Sequence, residues 1–145
     1  MQQPASTATP APLLNMSSGI IIQQALYAAA KLGVADLLNR GPCAVSELAA
    51  LLNVNASALL RLLRLLSAHG VFEETTPGTF SQNELSQFLR TGVPGSVRAL
   101  LIFRGSEFVF APFGEILYSI ETGLPAREKL YGKNAPAHHS SGYQA

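Results

Sequence analysis

The apolar residues Ile20, Ile21, Leu26, Tyr27, Ala30, Val34, Leu37 and Leu38 recur at helical spacing from Asn15 to Asn39, with Gly33 as a break. This predicts one long helix or two in series. Alanines at 25, 28, 29 and 30 give the segment a smooth face that admits another helix closely, while Ile20, Ile21 and Ile22 make its start apolar almost all round. A helix apolar on every side must be covered on every side. Too little chain precedes this one to do so, which points to burial by a second copy, through exchange of a segment or an intertwined pair. Ile20, Ile21, Gln24, Ala25 and Ala28 are the candidate interface residues.

Gly41 and Pro42 end that segment. Ser46 then reads as an N-cap with Glu47 in the first turn, opening a short helix to about Leu52. After the turn Asn53-Val54-Asn55, a second helix capped by Asn55 carries Leu59, Leu62, Leu63 and Leu66 at i, i+3, i+4 and i+7. Two helices joined by so short a turn form a helix-turn-helix. Gly70 closes the second helix, and Val71-Phe72-Glu73 leads into Thr76-Pro77-Gly78, which suits a type II turn. Thr79-Phe80-Ser81 returns, so a two-stranded hairpin forms a wing on the two helices.

Ser81 with Glu84 reads as a capping box opening a helix through Leu89. After a turn-rich break at Thr91 to Gly95, Ser96 caps a helix with Val97, Leu100, Leu101 and Phe103 that ends near Gly105. A last helix, from about Ala111 to Glu121, carries Phe113, Ile116, Leu117 and Ile120 and stops at Gly123 and Pro125. The fold class is therefore mainly α, with a winged helix-turn-helix and a short hairpin. Residues 1–14, rich in Gln, Pro, Ala, Ser and Thr, read as a disordered lead-in, residues 15–132 as one domain, and residues 133–145 as a disordered tail.

Composition narrows the functions available. The 145 residues are 48% hydrophobic, enough for a real core, yet only 13% charged, about half the usual share. Such a surface is poor in charge and suited to lie against a partner. A formal net charge of +1 advertises no nucleic acid. The exposed start of the second helix offers Asn55, Ala56, Ser57 and Ala58, then Arg61 and Arg64 for both groove and phosphate, while Glu73 and Glu74 in the wing repel a phosphate backbone. A small winged-helix DNA-binding transcription regulator is the alternative reading, but nucleic acid is not the expected partner.

Catalytic chemistry is not evident. His138 and His139 are adjacent and His69 stands apart, so a zinc site lacks ligands. The carboxylates are scattered, and there is neither a phosphate-cradling GxGxxG nor a P-loop. The one cysteine, Cys43, reads as a loop thiol and suits a reducing compartment. With no secretory signal pattern and no apolar run long enough for a bilayer, a cytoplasmic location and no membrane partner are expected.

Ser46-Glu47-Leu48-Ala49, then Leu59-Leu60-Arg61-Leu62-Leu63-Arg64-Leu65-Leu66, Gly70-Val71-Phe72 and Phe80-Ser81 resemble the N-terminal domain of class I S-adenosylmethionine-dependent O-methyltransferases of the caffeate and acetylserotonin kind. Phe113-Gly114-Glu115-Ile116-Leu117, Thr122-Gly123-Leu124-Pro125-Ala126 and Tyr131-Gly132 are similar to the connector leading out of that domain, with Phe113 where the family commonly has Trp. The resemblance implies a winged-helix-like dimerisation domain that does not read DNA and that helps wall the substrate pocket of a joined catalytic domain. It implies as partner the chain itself, as a homodimer, or a full-length methyltransferase. A doubly wound cofactor domain needs on the order of a hundred residues. Since few residues follow Gly132, no catalytic, cofactor-binding or metal residue is expected in this chain, and S-adenosylmethionine would bind only where a catalytic domain is present.

Overall fold

A computed structural model describes residues 9–133. Helix α1 spans Ala11–Ser17 and α2 Gly19–Leu32, followed by α3 at Val34–Leu38. The helical ladder runs almost unbroken through Ser18, whose N–H donates to Leu14 O (3.2 Å) and whose carbonyl accepts from Ile22 N (3.2 Å). Helix therefore begins at Ala11, inside the stretch expected to be a lead-in, with Pro12 in its first turn, where a missing N–H costs nothing. Gly33 breaks the run as expected. Its φ of 73° lets its N–H cap the carbonyls of Ala29 and Ala30 before α3 starts in a new direction.

Strand β1 is Cys43–Ala44, and α4 (Val45–Leu52) follows it directly. The helix begins one residue before Ser46, so Ala44 occupies the cap position and no side chain caps it. The wing, not Ser46, anchors this end, for Val45 N–H donates to Gly78 O at 2.8 Å. Asn53, at φ 53°, closes α4, and Asn55 caps α5 (Ala56–Ala68) by accepting from Ala58 N at 2.9 Å. Helix α5 ends in a Schellman motif, in which Gly70 N–H reaches Ser67 O (3.0 Å) and Val71 N–H reaches Leu66 O (2.9 Å).

Strands β2 (Glu73–Thr76) and β3 (Thr79–Ser81) form the expected hairpin, with Gly78 at φ 79° as a type II turn demands. Among the described residues the sheet has a third strand that the sequence did not suggest. Cys43 pairs with Phe80 and Ala44 with Thr79, giving the antiparallel order β1-β3-β2. Phe80 is thus central and fully buried.

The capping box expected at Ser81 and Glu84 forms instead between Asn83 and Ser86, because Ser81 is held in the sheet opposite Glu73. Asn83 N–H donates to Ser86 Oγ and Ser86 N–H to Asn83 Oδ1, both at 2.9 Å. The turn this opens is a 3₁₀ helix, Ser86–Leu89, not an α-helix. Asn83 Nδ2 also donates to Gly70 O (2.8 Å) and Phe72 O (3.2 Å), bracketing Phe72, which is buried at the rare φ of 69°.

Helix α6 (Arg98–Gly105) has Val97 at its cap position, one residue after the expected Ser96, and Ser96 Oγ still accepts from Arg98 N at 3.3 Å. The last helix of the sequence reading is divided. Helix α7 (Glu107–Phe110) passes into a 3₁₀ segment at Ala111–Glu115, then α8 (Ile116–Thr122) and α9 (Ala126–Tyr131). Pro112 has no N–H to continue α7, and Gly123 at φ 71° ends α8. The core lies where α2, α3, α4, α5 and the sheet meet, around Leu38, Leu48, Leu59, Leu63, Leu66, Phe72 and Phe80.

Candidate dimerisation surface

Helix α2 is clamped onto α6 in antiparallel sense. Gln23 Nε2 donates to Arg104 O at 2.9 Å and Gln24 Nε2 to Gly105 O at 3.4 Å. Gly105 makes this approach possible, since a Cβ there would stand 2.3 Å from Cβ and Cγ of Tyr27. Gln23, Gln24 and Tyr27 of α2 thus receive α6 of the same chain, while Ala25 and Ala29 of the small-residue face belong to the core. Ala25 (5% exposed), Ala29 and Ala30 are buried.

The five interface residues therefore divide. Ile20 (50% exposed) and Ile21 (58%) lie open, Gln24 and Ala28 are half-buried, and Ala25 faces this chain's own core. The apolar surface extends where the sequence reading did not place it. Leu13, Leu14 and Met16 of α1 are all exposed, Leu13 at 71%. A second apolar stripe, Ile116, Leu117 and Ile120 of α8 with Phe113, is also open. Its helical spacing was legible in the sequence, but which face remained uncovered was not.

A groove of about 460 Å³ is lined by Leu26, Val71, Leu85, Phe88, Leu89, Gly95, Val97 and Leu101. Its residues come from α2, the end of α5, the 3₁₀ turn and α6, so no local pattern announces it. S-adenosylmethionine does not fit there. The lining offers no carboxylate for ribose hydroxyls and no polar side chain for the adenine or the amino-acid end.

On the winged helix, Arg64 forms a bidentate pair with Glu74, Nη2 to Oε1 at 2.9 Å and Nε to Oε2 at 3.1 Å. Glu74 Oε1 also accepts from Gly78 N at 2.8 Å, so one carboxylate ties α5 to the turn of the wing. These bonds, the Arg64 pair foremost, hold Glu74 below the ordinary glutamate range and push the guanidinium pKa upward. One of the two cations available for phosphate is thereby neutralised within the fold. Burial, with Glu47 nearby, raises the Cys43 thiol, which leaves it a poor nucleophile. Among the described residues no group of three or more His, Cys, Asp and Glu side chains could hold a metal ion. His138 and His139 lie outside the described residues. No single described helix is long and apolar enough to cross a membrane.

A winged helix-turn-helix whose wing is tied down by its own recognition helix, flanked by helices with uncovered apolar faces, defines a protein-association module. The family model of the O-methyltransferase dimerisation domain matches residues 14–92, and the chain belongs to that family. It is 42% identical over 120 residues to a phenazine O-methyltransferase, PhzM, of Lysobacter antibioticus, covering 83% of this chain and 35% of that protein. It is 36% identical over 119 residues to an 8-amino-8-demethylriboflavin N,N-dimethyltransferase of Streptomyces davaonensis, covering 79% of this chain and 34% of the relative. The crystal structure of LaPhzM superposes with a TM-score of 0.80 at 41% identity, over 85% of this chain and 37% of that one. That of NcsB1, from neocarzinostatin biosynthesis, solved with S-adenosylmethionine and 2-hydroxy-5-methyl naphthoic acid, superposes at 0.64 and 29% identity, over 92% and 38%. The chain spans about a third of the length of the curated relatives it matches, the N-terminal part of them. That part is the dimerisation domain and is not catalytic by itself.

Proposed function

We propose that this chain associates with a second copy of itself through α1 and the start of α2, and that it serves a methyltransferase of the kind its relatives are. The exposure of Ile20 and Ile21, continuous with Leu13, Leu14 and Met16, carries the proposal. Each buried large aliphatic side chain contributes roughly 1.5–3 kcal/mol relative to exposure, so two such faces placed together gain what a lone chain forgoes. Partner specificity follows from shape, because the face holds no charge on α1 and none on α2 before Lys31.

The α8 stripe favours a second contact of another kind. We assign it to a domain that binds S-adenosylmethionine and supplies the methyl transfer, in keeping with relatives nearly three times as long as the matched segment. The apolar groove and the acceptor ligand of NcsB1 are consistent with work on flat aromatic acceptors. The DNA-reading alternative is disfavoured by the Arg64–Glu74 pair, which leaves Arg61 as the free cation on the exposed face of α5 among the described residues.

Size-exclusion chromatography with light scattering on the chain and on Ile21→Glu tests the interface. A dimer that the substitution converts to a monomer of unchanged helical circular dichroism supports it. An Ile21→Glu chain that dimerises as well as the parent refutes it. Titration calorimetry with S-adenosylmethionine is expected to give no saturable heat, and binding would contradict the assignment of cofactor chemistry to another domain.

A further inference from the structure

Between residues 103 and 131 the chain is rich in aromatic side chains that the core does not use. Phe103, Phe108, Phe110, Phe113, Tyr118 and Tyr131 all keep some surface. Rings left outside a core are available for stacking. Two cations of α9 stand among them, with different fates. Lys129 is committed, because its Nζ pairs with Glu115 Oε2 and lies 5.2 Å from the centre of the Tyr118 ring, tying α9 to α8. Arg127 is not. Its half-buried guanidinium lies 5.5 Å from the centre of the Phe108 ring, and it enters neither of the ion pairs formed among the described residues. An arginine laid on a ring keeps the in-plane N–H groups of its fork for a carboxylate.

Phe108 also stacks on Tyr131, with centroids 5.5 Å apart and planes 21° apart. Arg127 and Tyr131 are i and i+4 on α9, so they are neighbours on one face of the helix. That face therefore presents a guanidinium edge beside an aromatic ring that is 39% exposed.

We infer that Arg127 is a specificity-determining residue for a flat aromatic acceptor that bears a carboxylate. The ring stacks on Tyr131, and the carboxylate takes the fork of Arg127. The inference rests on the acceptor reading above, since Lys129 holds this cluster beside α8, whose open stripe is assigned to the cofactor domain. Charge selects the class. With Lys129 committed to Glu115, one uncompensated cation matches one negative charge, which a carboxylate carries and a phosphate ester exceeds. A neutral polycyclic ring has no use for the arginine.

The test titrates the isotopically labelled chain and its Arg127→Gln variant at low salt with 2-naphthoate and with neutral 2-naphthamide, followed by nuclear magnetic resonance of backbone amides and arginine Nε–H groups. Naphthoate is expected to move the Arg127 Nε–H signal and the amides of α9, and to bind about fivefold more tightly than naphthamide. Arg127→Gln is expected to abolish that preference and leave naphthamide binding as it was. Equal affinities in the parent chain, or a preference that survives Arg127→Gln, overturns the inference while the aromatic-acceptor reading stands. Failure of both probes to shift α7 and α9 saturably removes the two readings together.

Discussion

Replacing Gly105 by alanine sets two effects of opposite sign against each other. Gly105 lies in α6 at a helical φ, so alanine would gain at most about 1 kcal/mol from helix propensity. Packing opposes it. The new methyl would stand 2.3 Å from both Cβ and Cγ of Tyr27 and 2.6 Å from Cδ2. Rotating the tyrosine cannot move its Cβ, so α6 must withdraw from α2 and stretch the bonds from Gln23 and Gln24 to the carbonyls of Arg104 and Gly105. Overpacking of this kind costs typically 1–3 kcal/mol, and a contact this short belongs at the upper end. The net expectation for Gly105→Ala is a loss of about 2 kcal/mol. Urea unfolding followed by circular dichroism reads it as a fall in midpoint at unchanged slope. Combining it with Tyr27→Gly, which removes the clashing atoms, is expected to cost less than the sum of the two single losses. A Gly105→Ala chain at least as stable as the parent, or strict additivity in the double variant, would refute the close α2–α6 approach.

Three further outcomes are expected. Asn55→Ala removes the acceptor for Ala58 N–H and is expected to cost about 1 kcal/mol in the same assay, with Asn55→Asp close to neutral. Glu74 has its pKa depressed in the fold, so the stability it lends is present above the ordinary glutamate range and fades as pH falls through its folded value. Glu74→Gln is therefore expected to flatten the acid limb of a stability-against-pH curve, and an unchanged limb would count against the Arg64 pair. Asn83→Ala leaves Ser86 N–H and the carbonyls of Gly70 and Phe72 without their partner, and a loss of about 1–3 kcal/mol is expected by thermal or urea unfolding.

The parts of the fold legible in the sequence are those whose physics is local. Leu59, Leu63 and Leu66 are buried as their spacing requires, Asn55 caps α5, and Gly33 and Gly78 stand at the positive φ that their breaks need. Strand β1 was illegible because two residues carry no period and gain their order from Phe80 and Thr79, some 35 residues away. Ser81 lost its cap role to the same sheet. Helix α9 is too short to show periodicity, and the change from the 3₁₀ segment Ala111–Glu115 to α8 at Ile116 divides a stripe whose spacing looked continuous. For the interface, periodicity identified the apolar helix but not its outward side. Ala25 and Ile21 sit on one helical face, yet the core of the same chain takes up the first and leaves the second open. The groove needed four segments brought together, and α1 was hidden by a composition of Pro, Ala and Ser that reads as lead-in.

Sedimentation equilibrium of the unmodified chain over a wide concentration range tests the central claim most directly. Self-association predicts a mass of twice the 15.4 kDa chain that persists on dilution into the micromolar range. A mass of 15.4 kDa at every concentration would contradict it.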